Sequence, residues 1–223
     1  MKRLYHLHTP KTGGHWVDSK IILPLENALK KANIELIADH AGWYHVTDQT
    51  YIISSWRDPA QRTVSHFFHH KNKFMRDNTY ATEDEFMSWI QDNSNLVQNY
   101  QSKSLLYMPK KVTPAFFYAN DPIFLSIKPN IENVKERLSR INILFKEMTD
   151  RSANAIIKQI VEDLNLNESL VNFNNEININ DNHHSRAFWE NISDELKEYL
   201  YKLNPLDSEI YFDNSNYWFT RKR

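Results

Sequence analysis

Cysteine is absent from the 223 residues. That excludes disulfide staples, thiolate catalysis and cysteine-based zinc centres. Glycine is almost absent: three occur, and two of them stand side by side at Gly13 and Gly14. No apolar run approaches the roughly 20 residues of a membrane span, and no signal-peptide pattern precedes the first apolar run. Charge of one sign is also lacking. Lys and Arg number 27 against 28 Asp and Glu, a formal net charge of −1, so nothing points to nucleic acid or to a membrane surface, although the chain ends Arg221-Lys222-Arg223. These absences predict a soluble, cytoplasmic protein, and the length suits one domain over 1–223 with a sizeable core. Asparagine is plentiful, above all from Asn165 to Asn182, which reads as exposed turns.

What is present is organised around Arg3–Val17, RLYHLHTPKTGGHWV. Arg3–His8 has β-leaning residues in partial alternation and reads as a first strand. Thr9-Pro10 ends it, because proline has no ladder donor and restricts the residue before it. Gly13-Gly14 permits a tight turn, and from Trp16 to Lys31 the apolar residues Val17, Ile21, Leu25 and Leu29 recur at helical spacing. A strand, a lysine-bearing glycine turn and a helix start form an anion cradle: free N–H groups and the helix dipole converge, and Lys11 adds a full charge. The stretch is not a Walker A loop, since GxxxxGK[ST] is missing and the lysine precedes the glycines.

A second stretch, Tyr51–Trp56 (YIISSW), is a compact apolar run suited to a buried central strand. It leads directly into Arg57-Asp58-Pro59-Ala60-Gln61-Arg62-Thr63-Val64-Ser65. Here the chain resembles the sulfotransferases that use 3′-phosphoadenosine 5′-phosphosulfate. Pro10-Lys11-Thr12-Gly13-Gly14, with His8 in register, is similar to their 5′-phosphosulfate loop HIPKTGGT. Arg57, Pro59, Arg62 and Ser65 are similar to their 3′-phosphate motif RxPxxRxxS. Both motifs occur in the family's order, each leaving a predicted strand.

The resemblance implies a P-loop-NTPase-like, three-layer α/β fold with a mainly parallel central sheet, helices on both faces, and nucleotide at the carboxyl ends of the strands. It implies transfer of a sulfuryl group to an acceptor hydroxyl, a carbohydrate being the preferred acceptor, without a required metal and with 3′,5′-adenosine bisphosphate as product. Pro10, Lys11, Thr12, Gly13, Gly14, His15 and Trp16 would surround the 5′-phosphosulfate, with Lys11 stabilising the leaving phosphate oxygen. His15 departs from the family's usual Thr or Ser. Arg57 and Ser65 would hold the 3′-phosphate, Ser65 from one turn into the following helix. Arg62 is read as structural, pairing with Asp58 or bracing that helix. Arg186, in a loop before the last helix, is a further phosphate ligand. His40, after a predicted strand Ile34–Ala38, matches the place of the general base, with His45, His6, His8 and His15 as competitors. Asn99, Gln101 and Lys103 match an NxQTRxL element and are substrate-side or loop-bracing residues.

His66 and His70 stand one turn apart, but no carboxylate joins them at ligand spacing, so no metal site is expected. Further expected elements are a polar connection over Lys71–Thr82, helices over Glu83–Asp92, Ile131–Ser139, Ala153–Leu164 and Ser193–Leu203, a strand over Ile141–Phe145, and irregular aromatic chain over Tyr107–Pro129. Asp207 and Tyr211, with Tyr217-Trp218-Phe219, resemble the family's C-terminal DxxxY helix and read as packing residues. Two alternatives stay open: an ATP-dependent kinase-type phosphotransferase, and a nucleotide-binding module without catalysis. Composition and motifs are silent on oligomeric state.

Overall fold

The computed structural model describes residues 2–39, 42–75, 77, 79–109, 121–146, 148–173 and 183–213. Four strands, β1 (Arg3–Leu7), β2 (Glu35–Asp39), β3 (Thr50–Ser55) and β4 (Ile143–Phe145), form one sheet in the order β2-β1-β3-β4, and every neighbouring pair is parallel. Register sets Leu7 beside Asp39, His6 beside Ile53 and Ser55 beside Phe145. A parallel sheet needs cover on both faces, which is why these strands are apolar in both phases of their alternation. Leu4, Ile53, Ile143 and Phe145 pack into one cluster, and Tyr5, Leu7, Ile52 and Leu144 into another on the opposite face.

The first helical stretch consists of α1 (Gly14–Val17), a π-helical turn over Asp18–Ile22, and α2 (Leu23–Lys31). Its apolar residues recur every fourth position, more than the 3.6 residues of an α-helical turn, so a uniform α-helix would rotate them off the sheet. The wide turn absorbs the surplus. Val17, Ile21, Leu25 and Leu29 all end at 0–1% exposure. After β3 come α3 (Pro59–Phe74), α4 (Glu83–Asp92), α5 (Ser94–Val97), α6 (Tyr100–Leu106), α7 (Pro122–Ser126) and α8 (Ile131–Ser139). β4 is followed by α9 (Asp150–Leu164), α10 (His183–Asn191), α11 (Asp194–Leu203) and α12 (Pro205–Phe212).

The first helical stretch and α9 cover one face of the sheet; α6, α8 and α12 contribute to the other. Away from the sheet, α3, α4, α10 and α11 enclose an aromatic core of Phe67, Phe68, Phe86, Trp89 and Phe188. Among the described residues no helix is long and apolar enough to cross a membrane.

Several expectations are corrected. α3 runs to Phe74, so the polar connection after it is shorter than Lys71–Thr82. α7 interrupts the stretch expected to be irregular, capped by Asp121 with Pro122 in its first turn; residues 110–120 lie outside the described residues. Arg186 stands in helix α10, not in a loop. α4 keeps its expected bounds because Thr82 and Glu85 form a capping box.

The strand order places the site. From β1 the chain crosses to β2 on one side, and from β3 it crosses to β4 on the other. The connections diverge between the carboxyl ends of β1 and β3, and such a switch point leaves a crevice there. The two motif-bearing loops, 8–13 and 56–58, are the ones that flank it.

Candidate functional site

The first loop is held in a strained shape by its own residues. Lys11 has φ 68° and Gly13 φ 96°. The left-handed region is open to glycine but costs a lysine about 1–3 kcal/mol, strain that recurs where a side chain has to be aimed. Thr12 is fully buried and anchors the turn: its hydroxyl donates to the Thr9 carbonyl at 2.8 Å and lies 3.0 Å from the Ser55 hydroxyl at the end of β3. The Thr12 side chain therefore holds the scaffold. Gly14 has no room for a side chain, since a Cβ there would stand 1.9 Å from the His8 ring. The N–H of Val17 bonds to Gly13 O at 3.1 Å, which leaves the N–H groups of Gly14, His15 and Trp16 as the unclosed first turn. His15 is exposed, whereas Trp16 is buried against Phe145, ring centroids 5.9 Å apart. Trp16 is thus a packing residue.

Arg57 arrives from β3. One of its terminal guanidinium nitrogens donates to the Lys11 carbonyl at 3.4 Å, which ties the second motif to the first across 46 residues. Gln101 fixes its main chain from both sides: Gln101 Oε1 accepts from Arg57 N at 2.9 Å, and Gln101 Nε2 donates to Arg57 O at 2.8 Å. Asp58 caps α3 through Gln61 N at 2.9 Å and accepts from the Tyr201 hydroxyl at 2.8 Å. It makes no pair with Arg62, contrary to one expectation. Arg62 is buried at 1% exposure and reaches the Pro10 carbonyl at 3.5 Å and the Leu96 carbonyl at 2.9 Å, with its guanidinium 3.9 Å above the Tyr100 ring. It braces the loop as well as the helix.

Three cations therefore crowd one place. Burial, and then the charges of Arg57 and Arg62, pull the Lys11 ammonium down to about 8. Burial brings Arg62 down to about 10, against the opposing charges of Tyr100 and Asp207 and with a further push from Arg57. Among the described residues no carboxylate pairs with Lys11.

Ser65 is buried at 7% exposure on α3, near the end of the second turn and about 9 Å along the axis from Pro59. That is farther along the helix than one turn. It shares a face with Arg62 and His69, at spacings of three and four. That face runs along the loop: Arg62 contacts Pro10, and the charges of Lys11 and His15 act on His69.

The remaining candidates have separate places. His40 lies outside the described residues; its chain neighbour Asp39 is paired with Leu7 at the same end of the sheet. His6 is fully buried, with Nδ1 3.1 Å from Asp18 and its ring stacked on His8, centroids 5.1 Å apart. His45 packs edge-on against Tyr5 and Tyr44. Asn99 accepts from Leu206 N at 3.0 Å and Asp207 N at 3.3 Å, opening α12, so it is structural. Lys103 is half-buried on α6, and burial lowers its ammonium against the pull of Asp207. Arg186 is exposed on α10, which Phe188 anchors to Phe67 and Phe68, on the side of α3 away from Arg62 and His69. Among the described residues no group of three or more His, Asp or Glu is arranged around a metal position.

Sequence reasoning missed the reach of Arg62 to Pro10 and the two-sided grip of Gln101 on Arg57. Nothing in a linear sequence signals either contact, although the NxQTRxL-like element did single out Gln101. Comparison of the chain with family models, curated proteins and solved structures gave no match.

Proposed function

We propose that this chain is a sulfotransferase, built on a P-loop-like fold, that moves the sulfuryl group of 3′-phosphoadenosine 5′-phosphosulfate to an acceptor hydroxyl, with a carbohydrate as the preferred acceptor. The observation that carries the reading is the meeting of Lys11 and Arg57 at the carboxyl ends of two adjacent central strands, with no carboxylate of the described residues pairing Lys11. Cations held together out of water repel one another, and a bound polyanion relieves that repulsion while gaining from each of them.

The residues fit such a donor. Gly14 lets the His8 ring lie directly against the start of α1, where a side chain would displace it. The N–H groups of Gly14, His15 and Trp16 face outward from the helix start and suit a 5′-phosphosulfate. Arg57, its backbone fixed by Gln101, presents a planar fork to the 3′-phosphate, and Ser65 supplies a hydroxyl from the loop-facing side of α3. Bound there, the donor supplies an activated sulfuryl group on a phosphate oxygen. Lys11 would meet the negative charge that grows on that oxygen. Because that charge is larger in the transition state than in the bound donor, Lys11 acts on rate more than on affinity.

Calorimetric titration with 3′,5′-adenosine bisphosphate, ADP and ATP, on wild type and Arg57→Ala, tests the reading. Micromolar binding of the bisphosphate, lost in Arg57→Ala and not matched by ADP, is expected. Equal or tighter binding of ATP overturns it in favour of phosphoryl transfer.

A further inference from the structure

We infer that the thioether of Met148 holds the first loop in its anion-binding shape, and that its oxidation to the sulfoxide by a hydroperoxide weakens anion binding. The inference rests on the anion site proposed above and adds a third loop to the two that carry the motifs. Met148 follows β4, whose last residue, Phe145, is paired with Ser55 at the end of β3, so it stands at the same end of the sheet. Its sulfur rests directly on Gly13: a Cβ on that glycine would stand 2.2 Å from Met148 Sδ and 2.4 Å from the terminal methyl. Gly13 is therefore fixed on two counts, by its φ of 96° and by a thioether packed where a side chain would go. The chain on either side of Met148 is anchored to the same helical stretch. Phe145 packs on Trp16, ring centroids 5.9 Å apart, and Asp150 pairs with Lys20 at 3.2 Å. Thr149 caps α9 by accepting from Ser152 N at 3.1 Å, and the Met148 side chain packs against the core on that face of the sheet.

Gly13 is the residue from which α1 starts, and the unclosed N–H groups of Gly14, His15 and Trp16 follow it directly. A displacement at Gly13 turns all three away from the position they share. With no cysteine in the chain, its sulfur chemistry is that of thioethers. Met148 is only partly buried, which leaves it open to a small oxidant. In the step, a sulfur lone pair attacks the peroxide oxygen. The S–O bond forms as the O–O bond breaks, and the hydroperoxide proton passes to the departing oxygen, which leaves as alcohol or water. Sulfur is oxidised by two electrons and the peroxide is reduced by two. A dithiol-dependent reductase reverses the change, with two thiols becoming a disulfide and the oxygen leaving as water. The sulfoxide is larger and polar, and on the Gly13 side there is no room for its oxygen. Whether the side chain withdraws or the loop yields, the apolar contact that shapes the loop is lost.

The scarcity of glycine makes the test direct, since isotope labelling of glycine alone gives one amide signal each for Gly13, Gly14 and Gly42. Met75 and Met108 are more exposed, at 62% and 53%, so both are first replaced by leucine in the full chain. Hydrogen peroxide is then applied until mass spectrometry shows the sulfoxide at Met148. The Gly13 and Gly14 signals should move and that of Gly42 should stay, whereas a general loosening of the fold would move all three. Affinity for 3′,5′-adenosine bisphosphate, by calorimetry, should fall about tenfold or more, and methionine sulfoxide reductase should restore both readings. Met148→Leu keeps an apolar contact without the oxidisable sulfur, and should leave both readings indifferent to peroxide. A Gly13 signal that stays in place once Met148 is oxidised overturns the inference. So does bisphosphate affinity that stays within about threefold, peroxide sensitivity that persists in Met148→Leu, or a Met148 that peroxide reaches only in the unfolded chain. If the untreated protein binds no nucleotide, the sulfotransferase reading fails before any oxidation and the inferred loss of anion binding falls with it. Bisphosphate that binds equally before and after oxidation leaves that reading standing and removes this inference alone.

Discussion

Lys71 and Lys11 are both withdrawn from water, one toward the end of α3 and the other in the loop after β1, and their surroundings are opposite. Lys71 is 2% exposed and meets two carboxylates, Asp77 at 2.5 Å and Glu85 at 3.4 Å. Its hydrogen bond to Asp77 raises its pKa, and the partner Asp77 is held down to about 2. Lys11 meets Arg57 and Arg62, and burial with their charges lowers it to about 8. The first lysine is a finished contact that closes the turn between α3 and α4. The second is an unfinished one, kept in a strained backbone with its charge uncompensated by the described residues. The same side chain serves as scaffold where its charge is matched and, in the proposed function, as binding group where it is left unmatched.

Substitutions that remove one side of this contrast should have effects of graded size. The largest is expected from Arg57→Ala, which removes a charge-assisted fork from the crowded site. Affinity for 3′,5′-adenosine bisphosphate should fall about 100-fold by calorimetry with thermal stability nearly unchanged. A loss under threefold would separate Arg57 from the anion. Next comes Lys11→Met. Bisphosphate affinity should fall about tenfold, while stability to urea should rise by about 1–2 kcal/mol, after allowance for partial exposure, because the fold no longer holds an unmatched charge. A stability loss in this variant would show that Lys11 is matched after all.

The pH dependence should carry the same signature with two signs. The folded pKa of Lys11, about 8, lies below its ordinary 10.5. Its burial penalty is therefore present below pH 8 and disappears as pH rises from 8 towards 10.5, so the free protein gains stability over that range. Bisphosphate affinity should be flat below about pH 8 and fall above it, up to tenfold per unit, since the anion needs the charged form. Lys11→Met should abolish both slopes. The smallest effect belongs to Lys71→Met: a stability loss of about 0.5–1 kcal/mol, as both carboxylates are partly exposed, with bisphosphate binding unaltered. Its contribution through Asp77 should persist above pH 4 and vanish as pH falls towards 2.

The elements readable from sequence were those with a local cause. β1, β2 and β3 appear within one residue of their expected bounds because their apolar runs need no partner to be recognised. α4 and α8 keep their expected bounds because Thr82 and Asn130 cap them. The elements that escaped were short, or covered by distant parts of the chain. α6 begins on Asp207, 106 residues away from the Gln101 N–H whose bond it accepts, and the start of α12, a helix expected only through the resemblance, is bonded to Asn99. No window of sequence contains both halves of such a cap. β4 is shorter than expected because Ile141 and Asn142 are drawn into turns, Asn142 being bonded both ways to Ile52. The π-helical turn had a trace in the sequence, the four-residue spacing from Val17 to Leu29. That trace becomes legible only once all four positions are known to face one sheet.

By itself the sequence determined the chemistry on offer: a chain with no thiol, a lysine ahead of paired glycines after one strand, and an arginine after another. These follow from residue identity and short-range spacing, which a linear reading holds in full. Only the tertiary structure decided that the two strands are parallel neighbours with their carboxyl ends side by side, that Gln101 and Arg62 brace the loops from remote helices, and that Lys11 stands among arginines with no described carboxylate beside it. Burial and charge interact through space, and the distances that set them exist only after the chain has closed on itself.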